Sequence, residues 1–219
     1  MPQELSIETA THGRVLIEAS AAPAGTIVAF HGYGQSADEI LNDARKIPGA
    51  DEWTLVAPQA LHRFYARGDE RVVASWMTRQ DRETAIADNV AYIDRVLQSE
   101  NPQIPKSPTL LVFLGFSQGV AMAYRAALLG AHAPAGVIAL AGDVPPELKA
   151  GGGVRDWPRV LVGGGDADRY YTAERVAADE SFFRERGVAA NIVRFHGGHL
   201  FTTEFRAAAG EFLHELRRR

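Results

Sequence analysis

The sequence predicts an α/β fold, a mostly parallel central sheet with helices on both faces. Three observations carry this. Short apolar runs of strand length recur along the chain. Segments with apolar residues at helical spacing fall between them. One run leads through a glycine-flanked turn directly into an alanine-rich helical segment.

The elements follow in order. Glu4 to Thr9 and Arg14 to Ala19 alternate apolar and polar residues around Thr11-His12-Gly13, which reads as an antiparallel hairpin at a sheet edge. Thr26 to Phe30 is apolar throughout, as expected of a strand covered on both faces. Similar runs are Trp53 to Ala57, Thr109 to Leu114, Gly136 to Ala141, Arg159 to Val162 and Asn191 to Phe195. Ile40, Leu41, Ala44 and Ile47 share one helical face, and Ile86, Val90, Ile93 and Leu97 mark a helix over Asp81 to Gln98. Val120 to Leu129, Thr172 to Arg186, and a last stripe of Phe201, Phe205, Ala208, Phe212 and Leu216 complete the pattern. No linker, repeat or composition shift divides the chain, so residues 1–219 read as a single domain.

Composition bounds the function. With 219 residues, 46% of them hydrophobic, the chain can bury a sizeable core. Its net charge is −4 and its Lys and Arg are scattered, which argues against a nucleic-acid face. Arg217-Arg218-Arg219 suits a solvated helix end. There is no cysteine, hence no disulfide or thiol nucleophile. Met1 to Ala10 lacks a basic-then-apolar leader and no apolar run is long enough to span a bilayer, so a cytoplasmic protein is expected.

In α/β sheets chemistry gathers at the carboxyl ends of strands. Gly115-Phe116-Ser117-Gln118-Gly119 lies there, between an apolar run and a helical run. In a chain with 21 glycines the pattern can arise by chance; the strand–turn–helix setting gives it meaning. Such an elbow lifts a serine hydroxyl above the sheet and leaves a backbone N–H beside it. A serine nucleophile needs a base, and the base needs an orienting acid. His196 and His199 both follow the last strand; Gly197 and Gly198 let the chain swing His199 towards the serine. Asp166 and Asp168 follow Gly163-Gly164-Gly165, read as a flexible turn, and Asp143 follows the strand before. The order Ser117, Asp168, His199 fits this chemistry. His31-Gly32-Tyr33-Gly34-Gln35 offers the Tyr33 N–H as an oxyanion donor beside that of Gln118. No phosphate loop, dinucleotide fingerprint or metal-ligand spacing competes, and no cofactor or metal is expected.

Together GFSQG, HGYGQ, Gly165-Asp166-Ala167-Asp168 and Gly197-Gly198-His199 resemble the phospholipase/carboxylesterase family, over nearly the whole chain. The resemblance implies a single-domain α/β-hydrolase fold with no large cap. It implies Asp168 as the acid, by the family's Gly-x-x-Asp pattern, and Trp76 and Met77 as walls of an acyl pocket, by its Ser-Trp segment. Arg169-Tyr170-Tyr171-Thr172 stands where the family often has Val-Pro, and the HGYGQ loop departs from the HGLGD of the thioesterase members, so the bacterial carboxylesterases are the closer match. The expected activity is a serine carboxylesterase acting on small to medium acyl esters in an open site formed by loops such as Pro58 to Trp76. A thioesterase or lysophospholipase with the same residues is the alternative, and a non-catalytic small-molecule binder the alternative of another class. The expected partners are a small acyl ester and, by resemblance, a second copy in a homodimer; neither nucleic acid nor stable membrane insertion is expected.

Overall fold

A computed structural model describes residues 1–68, 70–104 and 110–218. Nine strands form within it: β1 (Arg14–Glu18), β2 (Thr26–Phe30), β3 (Thr54–Gln59), β4 (His62–Tyr65), β5 (Val72–Ser75), β6 (Leu111–Phe116), β7 (Gly136–Leu140), β8 (Arg159–Gly165) and β9 (Ala190–Phe195). Six α-helices accompany them: α1 (Ala37–Ala44), α2 (Arg82–Leu97), α3 (Gln118–Leu129), α4 (Pro146–Lys149), α5 (Ala173–Glu185) and α6 (Thr203–Arg217). The main sheet runs β1-β3-β2-β6-β7-β8-β9, parallel except for the antiparallel β1–β3 pair. This is the α/β-hydrolase arrangement, and among the described residues no large cap covers it.

The period of two along each strand separates two cores. In β7, Val137 and Ala139 face α2, α3 and α5, whereas Ile138 and Leu140 face α1 and α6. β2 divides likewise, Val28 and Phe30 on the first side and Ile27 and Ala29 on the second. Burial on both faces explains why these strands read as unbroken apolar runs. Each large side chain buried this way contributes about 1.5–3 kcal/mol relative to exposure.

Four features differ from the sequence expectation. Residues Glu4 to Thr9 form no strand; Leu5 and Ile7 stay 74% and 70% exposed. Two apolar side chains with no face to cover bury too little to offset the entropy of ordering the segment. β1 therefore pairs with β3, Leu16 opposite Ala57. The β4–β5 hairpin is absent from the expected set because its first strand, His-Arg-Phe-Tyr, is exposed along its length and carries no alternation. The third difference is in Gly163-Gly164-Gly165, which is not a turn but the end of β8. A β-carbon on Gly163 would strike the Phe205 ring, and one on Gly165 would lie 2.7 Å from the Gly198 carbonyl oxygen. Close packing, rather than flexibility, calls for glycine there. The four-residue α4, which opens on a proline, also fell below the length that periodicity can reveal. Thr109 of the expected β6 run, and Arg219 of the basic terminus, lie outside the described residues. Among the described residues no helix is long and apolar enough to cross a membrane.

Candidate active site

β6 ends at Phe116, and α3 begins at Gln118, so Ser117 occupies the single residue between strand and helix. Its φ of 54° and ψ of −119° are strained for a side-chain-bearing residue. The strain is held by packing. The Ser117 N–H donates to the Leu140 carbonyl at 2.9 Å. A β-carbon on Gly115 would lie 2.5 Å from the Gly119 carbonyl oxygen, and one on Gly119 would lie 2.6 Å from the Phe30 carbonyl carbon. Both flanking glycines are therefore required for strand and helix to approach this closely. Ser117 also stands at the N-terminus of α3, where the helix dipole favours negative charge.

His199 and Asp168 come to Ser117 from the loops after β9 and β8. The His199 Nε2 lies 2.8 Å from Ser117 Oγ, and its Nδ1 lies 2.7 Å from Asp168 Oδ2. The Asp168 carboxylate is fully buried, and its other oxygen accepts the N–H groups of Tyr170 at 2.8 Å and Tyr171 at 3.0 Å. The imidazole sits between the rings of Phe116 and Tyr170, each 5.0 Å away. Thr202 caps α6 through the Phe205 N–H, fixing the chain three residues beyond His199.

Asp166 and His196 form a second pair two residues away, at 2.8 Å, but on the surface; His196 is 96% exposed. The Gly197 N–H, then His196, hold the Asp166 carboxyl below the usual carboxylate range. Asp166 in turn raises the His196 imidazole. Among the described residues neither is hydrogen-bonded to Ser117. Asp143 pairs with Arg175 at 3.1 Å on the cavity wall and, among the described residues, has no hydrogen bond to His199. The three aspartates thus have three distinct settings, and only that of Asp168 is both buried and joined to the histidine beside the serine.

The loop after β2 is braced from several sides. His31 is fully buried; its Nδ1–H donates to the Gly32 carbonyl at 2.7 Å, and its Nε2 accepts the Ala60 N–H at 3.1 Å. Burial lowers its pKa, so the ring is neutral and this tautomer follows. The Gln35 side chain takes the Gly32 N–H at 2.8 Å. Among the described residues, neither the Tyr33 nor the Gln118 main-chain N–H donates to a backbone acceptor. Donors left free in this way, beside a serine at a helix N-terminus, are what an oxyanion requires.

Met77 lines the cavity at Ser117, but Trp76 does not; its side chain is 1% exposed. The indole N–H donates to the His31 carbonyl at 2.8 Å, and the ring meets Phe30 edge-on at 5.5 Å. Its main chain is gripped by the Gln118 and Asn89 side chains, at 2.9 and 2.8 Å. Trp76 thus supports the loop after β2 rather than walling a pocket. The cavity, about 300 Å³, runs from Ser117 and His199 past Ala121 and Tyr171 to Arg125. Its walls come from Met77 and the segments after β7 and β8; no described residue of the stretch 58–76 lines it.

Sequence reasoning missed His31, Trp76 and Gln118 as braces and missed Arg125 altogether. The helical period offered a signal for the last, since Ser117, Ala121 and Arg125 recur every four residues on one face of α3. Among the described residues no cluster of three or more His, Asp or Glu side chains could hold a metal ion.

Comparison with known proteins bears on the fold and the family. The chain superposes on esterase PE8 with a TM-score of 0.74 and 23% identity, covering 93% of this chain and 98% of the other. Zea mays acyl-protein thioesterase 2 gives 0.73 and 18%, with coverages of 94% and 100%. The Bacillus cereus carboxylesterase gives 0.72 and 13%, with coverages of 93% and 94%. At these identities the likeness is one of fold. No curated protein sequence matches. The phospholipase/carboxylesterase family profile, however, matches residues 12–209. The chain therefore belongs to the phospholipase/carboxylesterase family and is a hydrolase.

Proposed function

We propose that the protein, with residues 1–219 as one catalytic domain, is a serine carboxylesterase acting on small to medium acyl esters through an acyl-enzyme. The observation that carries this reading is the unbroken chain Ser117 Oγ–His199–Asp168, at 2.8 and 2.7 Å, over a cavity of about 300 Å³.

Ser117 Oγ attacks the ester carbonyl carbon, and its proton passes to His199 Nε2. The carbonyl oxygen becomes an oxyanion held by the N–H groups of Tyr33 and Gln118, each worth about 3 kcal/mol in the transition state. The intermediate collapses, the bond to the alcohol oxygen breaks, and His199 returns the proton to that oxygen. Asp168 keeps the imidazole in the tautomer with hydrogen on Nδ1 and stabilises the imidazolium. Water then attacks the acyl-enzyme by the same route, and the carboxylic acid leaves.

The test uses p-nitrophenyl acetate, butyrate and octanoate, a matched thioester and a lysophospholipid, together with a fluorophosphonate probe. The two shorter nitrophenyl esters should turn over fastest, and the probe should label Ser117. A Ser117→Ala variant should lose both turnover and labelling. Full turnover by that variant would overturn the proposal, and preference for the thioester or lysophospholipid would move the substrate class.

A further inference from the structure

The far end of the cavity carries a charge that hydrolysis itself does not use. Arg125 lies two helical turns after Ser117 on the same face of α3, with Ala121 between them. Its side chain is only 4% exposed, yet it lines the cavity. The Nε–H donates to Glu147 Oε1 at 2.7 Å, and the other Glu147 oxygen is taken by Arg82 at 2.8 Å. Arg125 Nη1 meets only the Met77 thioether sulfur, at 3.3 Å, a weak acceptor. Among the described residues, its Nη2 has no acceptor.

Packing of α4 against α3 accounts for the Nε contact alone. Glu147 does not line the cavity and holds the guanidinium through Nε, so Nη2 remains available to a ligand in the space that Arg125 lines. The other charges on the cavity wall, Asp143 and Arg175, pair with each other at 3.1 Å and cancel. Glu147 between two arginines leaves one positive charge in excess. The cavity that reaches the serine is therefore also lined by an arginine that Glu147 holds through Nε and that keeps N–H capacity to spare, the residue type that binds carboxylates through paired N–H groups.

Resting on the serine-esterase reading above, we infer that the preferred substrates are esters that carry a carboxylate on one arm, bound by Arg125. The length of that arm follows from the helix. Eight residues rise about 12 Å, and helical side chains lean back towards the N-terminus by up to about one turn. The guanidinium then lies about 7–12 Å from the serine; after about 1.5 Å for the bond to Oγ and about 4 Å for the carboxylate–guanidinium contact, the upper part of that range spans a succinyl to adipyl chain. The carboxylate can belong to the acyl arm, as in a half-ester of a dicarboxylic acid, or to the alcohol arm, as in an acylated hydroxy acid. Both present the same group to Arg125.

Four esters separate these cases: monoethyl glutarate against ethyl valerate for the acyl arm, and 4-acetoxybutyrate against butyl acetate for the alcohol arm. Released acid is followed by pH-stat. In the wild type, kcat/KM for one carboxylate ester should exceed that of its neutral partner at least tenfold, and the pair that shows it identifies the arm. In Arg125→Met that ratio should fall to about one or below, and Arg125→Lys should keep part of it. Each ratio is internal to one protein, so partial loss of folded enzyme does not alter it. If Arg125→Met does not fold, the wild-type ratio and the Arg125→Lys ratio decide. Hydrolysis of the neutral esters with no preference for either carboxylate ester overturns the inference and leaves the esterase reading standing. So does a preference that survives Arg125→Met. Failure to hydrolyse any of the four overturns the esterase reading, and the inference with it.

Discussion

Replacing Gly119 with alanine should cost the protein both stability and activity by a route that touches no reacting atom. The added β-carbon would lie 2.6 Å from the Phe30 carbonyl carbon and 2.7 Å from the His31 carbonyl oxygen. Unstrained contact needs about 3.5 Å, so α3 and the end of β2 must separate by at least roughly 0.9 Å, and by more to clear the Phe30 carbonyl oxygen, which lies nearer still. Both are backbone, and no side chain can rotate away. Overpacking of this kind costs about 1–3 kcal/mol, which in a domain of this size lowers Tm by about 2–12 °C. The same shift moves the serine and the Gln118 N–H relative to the Tyr33 N–H. A misplacement of about 1 Å in a catalytic geometry costs about 100-fold. Calorimetry and kcat/KM with p-nitrophenyl butyrate measure the two effects. Gly187→Ala is the control: Gly187 has φ of +65° but nothing within 4 Å of its missing β-carbon. It should lose about 1 kcal/mol or slightly more through backbone strain and keep its activity. A Gly119→Ala protein with kcat/KM within threefold of wild type would refute the argument that the elbow needs this close approach.

Other substitutions divide the site further. Asp168→Asn should lower kcat by about 10⁴-fold by allowing the wrong imidazole tautomer, whereas Asp166→Asn and Asp143→Asn should change it less than threefold; the reverse order in steady-state assays would move the acid. Trp76→Phe removes the buried N–H donor to the His31 carbonyl and should cost about 1–3 kcal/mol in urea unfolding, with a fall in kcat rather than a rise in KM. Burial alone would raise the Glu147 pKa, but hydrogen bonds from Arg82 and Arg125 outweigh it and hold the carboxyl below its ordinary 4.5. A carboxyl lowered on folding contributes stability above that value and loses it as pH falls through the folded-state pKa. Glu147→Gln should therefore lower Tm at pH 7, and the gap from wild type should narrow below pH 4.5; a gap that stays constant down to pH 3 would refute this account.

The legible parts of this protein are those where one physical rule acts alone. Strands β2, β6, β7 and β8 were readable because burial on both faces leaves no choice but apolar residues. Ser117 was readable because the elbow demands glycine on either side and a strand and a helix beyond. The choice of Asp168 over Asp166 was not available from the residues alone. Both follow the same strand, both are paired with a histidine, and the two differ in burial, a property of the whole fold. The family pattern selected Asp168. Leu5 and Ile7 misled because alternation records what a strand would bury and says nothing of whether a face waits to receive it. Trp76 misled in the opposite sense, since an aromatic residue one position from a cavity wall points into the core instead. Arg125 went unread because a charge amid alanines looks like the solvated side of a helix.

The division of the strands between two cores has a consequence for how the protein tolerates change. Side chains on opposite faces of the sheet share no partner except the backbone between them, so paired substitutions across it should combine additively. Pairs on one face, such as Val137 with Val120 or Ile138 with Phe212, should not. The sheet thus acts as an insulator. The layer of α1 and α6 can drift or be redesigned largely on its own terms. Substitution scans should find the two layers to be separate mutational neighbourhoods.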